Sequence, residues 1–296
     1  MRAPLSPPLI RQIVLSDGYV VAARLWMPPQ GPPRDLVLYL HGIQSHGGWY
    51  EWSASLLASQ GAAVLVPDRR GSGLNREARG DTPSAEQLLA DLSFLATALA
   101  REAGTVARPV SVVGVSWGGK LALAWALRMA WFARRLLLIA PGVFPAVGVS
   151  LVERLRIAGS LLTAPDRLHP IPLDDATLFT DQPDGQTFIR HDPLKLTRVT
   201  ARFLWESERL GGWLRRAPRG SLECPITLLL AGRDRVVRNQ PTIAWLRHVA
   251  RALPEVREFR DAAHTLEFEP GVTELSATLR EWCAGVPAVR STEILA

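Results

Sequence analysis

Apolar positions follow two different rhythms along this chain. Residues 9–28, LIRQIVLSDGYVVAARLWMP, read as two extended stretches around Ser16-Asp17-Gly18, a turn of the kind that closes a hairpin. From Asp35 the rhythm changes to short, continuous apolar runs separated by helical segments. DLVLYLHG is followed by a helix after Trp49, AAVLVPD by a helix from Ser84, PVSVVGVS by a helix after Gly118, and then comes RRLLLIAPG. Strands that are apolar on both faces and alternate with helices predict a mostly parallel sheet covered on both sides. Ser84 and Gln87 have the spacing of a capping box ahead of LLADLSFLATALA.

The alternation stops after Gly142 and resumes at Pro225. Between them lie the amphipathic SLVERLRIAGSLL, the Pro- and Asp-rich APDRLHPIPLDD, and RFLWESERLGGWLRR. The closing pattern is a strand in ITLLLAGRD, a helix through TIAWLRHVARAL, a strand near VREFRD and a helix in GVTELSATLREWC. The chain thus returns to one sheet. The expected organisation is an α/β core from residues 1–142 and 220–296 with a helical cap inserted at 143–219. In the first cap helix Leu151, Leu155, Ala158 and Leu162 share a face, which is expected to pack on a core, with a lipid-facing lid as the alternative.

Composition narrows the classes without choosing among them. At 296 residues, 47% hydrophobic and 21% charged, the chain is globular and long enough for one large α/β domain with an insertion. No apolar run approaches the length of a membrane span, and prolines interrupt the N-terminal segment where a signal peptide needs an unbroken apolar stretch. Two cysteines, Cys224 and Cys283, without a C-x-x-C pair, read as thiols in a reducing cytoplasm. The net charge is +6, and Lys120 and Lys195 are the only lysines. The arginines are scattered among acids rather than gathered in a stripe, so no nucleic-acid partner is expected, while weak attraction to anionic membrane surfaces stays open. Nothing has the spacing of a metal site, and no cofactor is expected.

VVGVSWGGKLA, residues 112–122, fits two chemistries. Gly114, Gly119 and Lys120 give most of a phosphate-binding P-loop, but Leu121 stands where that loop needs a Ser or Thr for magnesium, and Trp117 crowds the turn. Gly114, Ser116 and Gly118 give G-x-S-x-G between a predicted strand and a predicted helix, the elbow that presents a nucleophilic serine. On this reading Lys120 falls on an exposed first turn of the helix.

A serine needs a histidine to take its proton and a carboxylate to hold that histidine. In a strand-elbow-helix nucleophile these follow as acid, then histidine, each after a later strand. Asp234 and His264 occupy those places. Of the other histidines, His41 and His46 precede Ser116, His169 and His191 lie in the insertion, and His248 lies in a predicted helix. Asp261 is too near His264 to be preferred, and Asp192 belongs to the insertion, where it reads as surface chemistry. The backbone N–H groups of Ile43 and Trp117 are the expected oxyanion hole.

These residues resemble the α/β-hydrolase superfamily, and within it the monoacylglycerol lipase and lysophospholipase-like serine hydrolases. HGIQSHGGWY is similar to that group's H-G-x-x-x-H-x-x-x-Y at His41, Gly42, His46 and Tyr50. DRRGSGLN is similar to its D-x-R-G-x-G-x-S at Asp68, Arg70, Gly71 and Gly73, with Asn75 in place of the serine. The resemblance covers roughly Asp35 to Pro270 and implies two-step acyl transfer, with Ser116 attacking an ester carbonyl, His264 moving protons and Asp234 stabilising the imidazolium. Trp117 after the serine is similar to the proline iminopeptidases, so an aminopeptidase or amidase is the second expectation. A non-catalytic binding protein of hydrolase ancestry is the third. In the insertion, basic residues outnumber acidic ones by only two, which favours an apolar acyl ester over a demand for a phosphate headgroup.

Overall fold

The computed structural model describes residues 2–106 and 108–285; the part of the expected core from 286 to 296 lies outside them. The hairpin forms as its pattern predicts. β1 (Leu9–Val14) pairs antiparallel with β2 (Val20–Trp26), and Gly18 turns the chain at φ 84°. The following elements alternate: β3 (Asp35–Leu40), α1 (Glu51–Ser59), β4 (Ala62–Pro67), α2 (Ala85–Glu102), β5 (Val110–Val115), α3 (Trp117–Arg128) and β6 (Ala133–Ile139). The segment that leaves the sheet carries α4 (Leu151–Thr163), β7 (Leu168–Pro170), α5 (Pro183–His191), β8 (Arg198–Thr200) and α6 (Ala201–Arg215). β9 (Ile226–Ala231), α7 (Asn239–Val249), β10 (Glu255–Phe259) and α8 (Val272–Ala284) complete the fold.

The eight-stranded sheet has the order β1-β2-β4-β3-β5-β6-β9-β10. β2 joins β4 antiparallel, and every pairing from β4 to β10 is parallel. Because side chains alternate across a strand, each strand supplies both layers of the core. Leu36, Leu38 and Leu40 meet α2 and α3 on one face, while Val37 and Tyr39 meet α1 and α8 on the other. The first layer also takes in Phe203, Leu210 and Leu214 of α6, so this part of the inserted segment is continuous with the core.

Three local expectations change. Ser84 Oγ accepts from Gln87 N at 3.0 Å, but the Gln87 side chain turns to Asp91 at 2.8 Å instead of closing the box. The first helical donor, Ala85 N, is taken by Glu206 Oε2 of α6 at 2.8 Å. The insertion is not wholly helical, since β7 and β8 pair antiparallel. Finally, the apolar face of α4 does not pack: Leu151, Leu155 and Leu162 are 72%, 66% and 89% exposed. The face is held off the core because α4 lies on α6, which already occupies the core surface.

Among the described residues no helix is long and apolar enough to cross a membrane. Cys224 and Cys283 are free, and burial pushes their thiols up to about 11 and about 12.

Candidate active site

Strand β5 ends at Val115 and α3 begins at Trp117, so the whole reversal falls on Ser116. Its backbone is at φ 53° and ψ −120°, a conformation costing about 1–3 kcal/mol in a residue with a side chain. Neighbours over-determine it: Ser116 N donates to Ile139 O of β6 at 2.9 Å, and Ser116 O accepts from Gly142 N at 2.7 Å and Gly119 N at 2.9 Å. The flanking glycines are demanded by contact. A Cβ on Gly118 would stand 2.3 Å from Leu40 O, and one on Gly114 2.8 Å from Gly119 Cα.

Residues 148 positions apart meet at this turn. His264 Nε2 lies 2.9 Å from Ser116 Oγ, and His264 Nδ1 lies 2.8 Å from Asp234 Oδ2. The side chains of His264 and Asp234 are 2% and 0% exposed. Asp234 Oδ1 accepts from Val236 N at 2.8 Å and Val237 N at 2.9 Å, which fixes the carboxylate on its loop after β9. A carboxylate can only accept here, so Nδ1 carries the proton and Nε2 is left basic toward the serine. Phe179 packs edge-on against the imidazole at 6.0 Å.

The loop after β3 faces the same serine. A Cβ on Gly42 would be 3.1 Å from Ser45 Oγ and 3.5 Å from Ser116 Cβ, so the loop lies directly against the serine. Arg69 Nη2 donates to Ile43 O at 2.8 Å and Nη1 to Gly42 O at 3.3 Å. In a trans peptide the N–H of Ile43 points opposite to the carbonyl of Gly42, so this arginine, together with His41 Nδ1 at 2.8 Å from the same carbonyl, sets the direction of that N–H. Arg69 is itself held between Trp117 and Phe203, 4.9 Å and 5.1 Å from their ring centres. Burial lowers its guanidinium to about 9.

The remaining motif residues are structural. His41 Nδ1 donates to Gly42 O at 2.8 Å while Nε2 accepts from Arg69 N at 3.0 Å; burial and the Arg69 charge lower it to about 3, so it is neutral. Asp68 accepts from Gly47 N and Leu74 N, and a Cβ on Gly73 would stand 2.2 Å from its carboxylate. Asn75 accepts from Ala22 N at 2.8 Å and donates to Asp68 O at 2.7 Å, doing in a longer side chain what a hairpin-to-turn link requires.

Two side chains lie where the sequence pattern did not place them. Asp192 is buried, accepting from Trp49 Nε1 at 2.7 Å and lying 3.0 Å from His46 Nε2, so it ties the inserted segment to the loop after β3. Lys120 is not on an exposed turn: it is 6% exposed, because α6 crosses over it and Ser207 O and Oγ accept from its Nζ at 3.3 and 3.4 Å. Both depend on contacts with the insertion, and no local signal announces them.

Ser116 opens on a cavity of about 480 Å³. Its walls are mainly apolar, with Val149, Ile157, Leu161, Leu204 and Val237 among them, and Lys120, Arg154 and Glu208 are its charged members. Among the described residues no group of His, Cys, Asp and Glu is placed to hold a metal ion.

Residues 31–271 match the family described as serine aminopeptidase, S33 (Hydrolase_4). The chain belongs to this family. It is an α/β-hydrolase of lipase-like type. Phospholipase YtpA of Bacillus subtilis is 24% identical over 249 residues, which are 83% of this chain and 93% of that protein. An uncharacterized abhydrolase domain-containing protein of Dictyostelium discoideum is 33% identical over 119 residues; the match takes in 40% of this chain and spans only 12% of that protein's length. A soluble variant of the monoglyceride lipase of Saccharomyces cerevisiae, solved with a substrate analogue, superposes with a TM-score of 0.81 at 17% identity, covering 96% of this chain and 97% of that one.

Proposed function

We propose that this family member is a cytoplasmic serine ester hydrolase acting on small acyl esters of the monoacylglycerol or lysophospholipid kind. The observation that carries the reading is the continuous chain Ser116 Oγ, His264 and Asp234, at 2.9 and 2.8 Å, opening on an apolar cavity. His264 takes the serine proton as Oγ attacks the carbonyl carbon. The N–H groups of Ile43 and Trp117 receive the developing oxyanion. His264 then returns the proton to the departing alkoxide and activates the water that releases the acid, while Asp234 stabilises the imidazolium. No metal or organic cofactor takes part. The Bacillus relative described as a phospholipase and the yeast monoglyceride lipase of like fold support the choice of lipid-derived esters. The exposed Leu151, Val152, Leu155 and Leu162 of α4 give such substrates an apolar approach to the cavity.

The test is intact mass after fluorophosphonate treatment, followed by turnover of p-nitrophenyl esters and monoacylglycerols. One adduct, absent from Ser116→Ala and His264→Ala, with hydrolysis above the Ser116→Ala control, is expected. An unlabelled, inactive folded wild type overturns the reading.

A second reading, aminopeptidase action, is favoured by the family's own description and by Glu208, a cavity carboxylate that could receive a substrate amine. It requires arylamine release from aminoacyl amides at rates comparable with ester cleavage.

A further inference from the structure

Lys120 follows the serine by one turn of α3, so its Cα lies roughly 6 Å further along the helix axis. Its stem runs beneath α6 and its ammonium ends among Ser207 and Gly211, where a Cβ on Gly211 would be 3.8 Å away. Burying a cation costs several kcal/mol unless a counter-charge or full hydrogen bonding offsets it. Here the offset is thin. An ammonium has three donors, and its two contacts, both to Ser207, are long at 3.3 and 3.4 Å. The charged groups around it are Glu208 and Arg215, which pair with each other at 3.8 Å, and Lys120 has no ion-pair partner among the described residues.

A role in fastening α6 does not account for the lysine. Trp117 Nε1 already donates to Ser207 Oγ at the better distance of 2.8 Å, and α6 is fastened elsewhere by Glu206 to Ala85 N and Arg209 to Glu86. Lys120 also lines the cavity that holds Ser116, as do Trp117 and Ser207, the residue its ammonium touches. Arg154, exposed and on α4, is a second cation lining that cavity, against Glu208 as the single acid among the described residues that line it.

We propose that Lys120 forms an anion subsite within the Ser116 cavity, so that the preferred ester carries a carboxylate or phosphate a few bonds from the carbonyl that is attacked. The proposal rests on the ester-hydrolase reading for its turnover and on the cavity alone for its binding. The substrate body lies along the apolar wall, and its anionic end supplies the counter-charge that the fold omits. Such an arrangement disfavours free amines, whose charge would meet the ammonium.

Matched substrates separate charge from shape. Ethyl hexanoate is compared with monoethyl adipate, and monooctanoylglycerol with octanoylglycerol 3-phosphate, on the wild type, Lys120→Met and Lys120→Arg. The anionic-to-neutral ratio of kcat/KM is expected to fall by about ten-fold or more in Lys120→Met, the size of one charge-assisted contact, with the change in KM and partial recovery in Lys120→Arg. Whichever pair carries the effect identifies carboxylate or phosphate. In parallel, calorimetry on Ser116→Ala, with and without Lys120→Met, measures binding of monoethyl adipate against the neutral ethyl hexanoate. Esters cleaved with the same ratio by wild type and Lys120→Met, or ethyl hexanoate bound by Ser116→Ala as tightly as monoethyl adipate, overturn the subsite and leave the hydrolase standing. Lysine-dependent binding of monoethyl adipate with no ester cleaved by the wild type supports the subsite and removes the hydrolase.

Discussion

Trp117 Nε1 donates to Ser207 Oγ at 2.8 Å, so the residue that follows Ser116 is also part of the joint between the sheet and the inserted segment. Ser207→Ala leaves a buried indole N–H and a buried ammonium with fewer acceptors. A loss of about 1–3 kcal/mol in urea unfolding is expected, with less loss for Ser207→Thr. Equal stability of wild type and Ser207→Ala would show that the joint is carried by packing alone.

Asp234→Asn tests the proton arrangement. Asn Oδ1 can keep the bonds to the N–H groups of Val236 and Val237, which turns its NH₂ toward His264 Nδ1. The imidazole must then accept at Nδ1 and carry its proton on Nε2, facing Ser116, where it cannot act as a base. The expected drop in kcat is on the order of 10⁴-fold with unchanged circular dichroism; a drop of less than about ten-fold contradicts the assigned role.

Two glycine substitutions should move stability in opposite directions. Gly118→Ala places a Cβ 2.3 Å from Leu40 O and 2.6 Å from His41 O, both backbone atoms. The elbow must shift, at a cost of at least about 1–3 kcal/mol together with activity. Gly159, inside α4, has nothing within 4 Å of its would-be Cβ, so Gly159→Ala is expected to stabilise by about 0.5–1 kcal/mol. Thermal denaturation of both variants checks the pair.

Glu267 gives the fold a pH dependence. It is buried beside Tyr39 and Tyr50, with Oε1 accepting from Ser53 N at 3.0 Å, and burial pushes its carboxyl from 4.5 up to about 7. The folded chain therefore holds this proton more tightly than the unfolded chain. Its contribution is complete below pH 4.5 and is lost as pH rises through about 7, amounting to about 3 kcal/mol. Glu267→Gln keeps the acceptor without the charge, so its advantage in Tm over the wild type should grow between pH 4.5 and pH 8. A Tm difference independent of pH would sink this assignment.

Much of this was legible in the sequence because it is local or ordered. Apolar runs gave the strands, the G-x-S-x-G turn gave the elbow, and chain order alone selected Asp234 and His264 from the available acids and histidines. What stayed hidden depends on where the inserted segment comes to rest. Lys120 sits in a first-turn position that would ordinarily be solvated, and it is buried by α6, whose Ser207 lies 87 positions away. Asp192 looks like a turn residue until Trp49 and His46 are brought to it. The apolar stripe of α4 has the periodicity of a packed helix, and periodicity cannot say whether a neighbour has already filled the surface.

Glu206 of α6 supplies the acceptor for the first donor of α2, a helix of the core. The inserted segment is therefore written into the core's own hydrogen bonding, and the two cannot be exchanged as independent parts. A chimaera that received another protein's lid would inherit an unanswered amide at Ala85 as well as a new pocket. In this chain, a change of substrate range is more readily reached by altering side chains that line the cavity than by replacing the inserted segment.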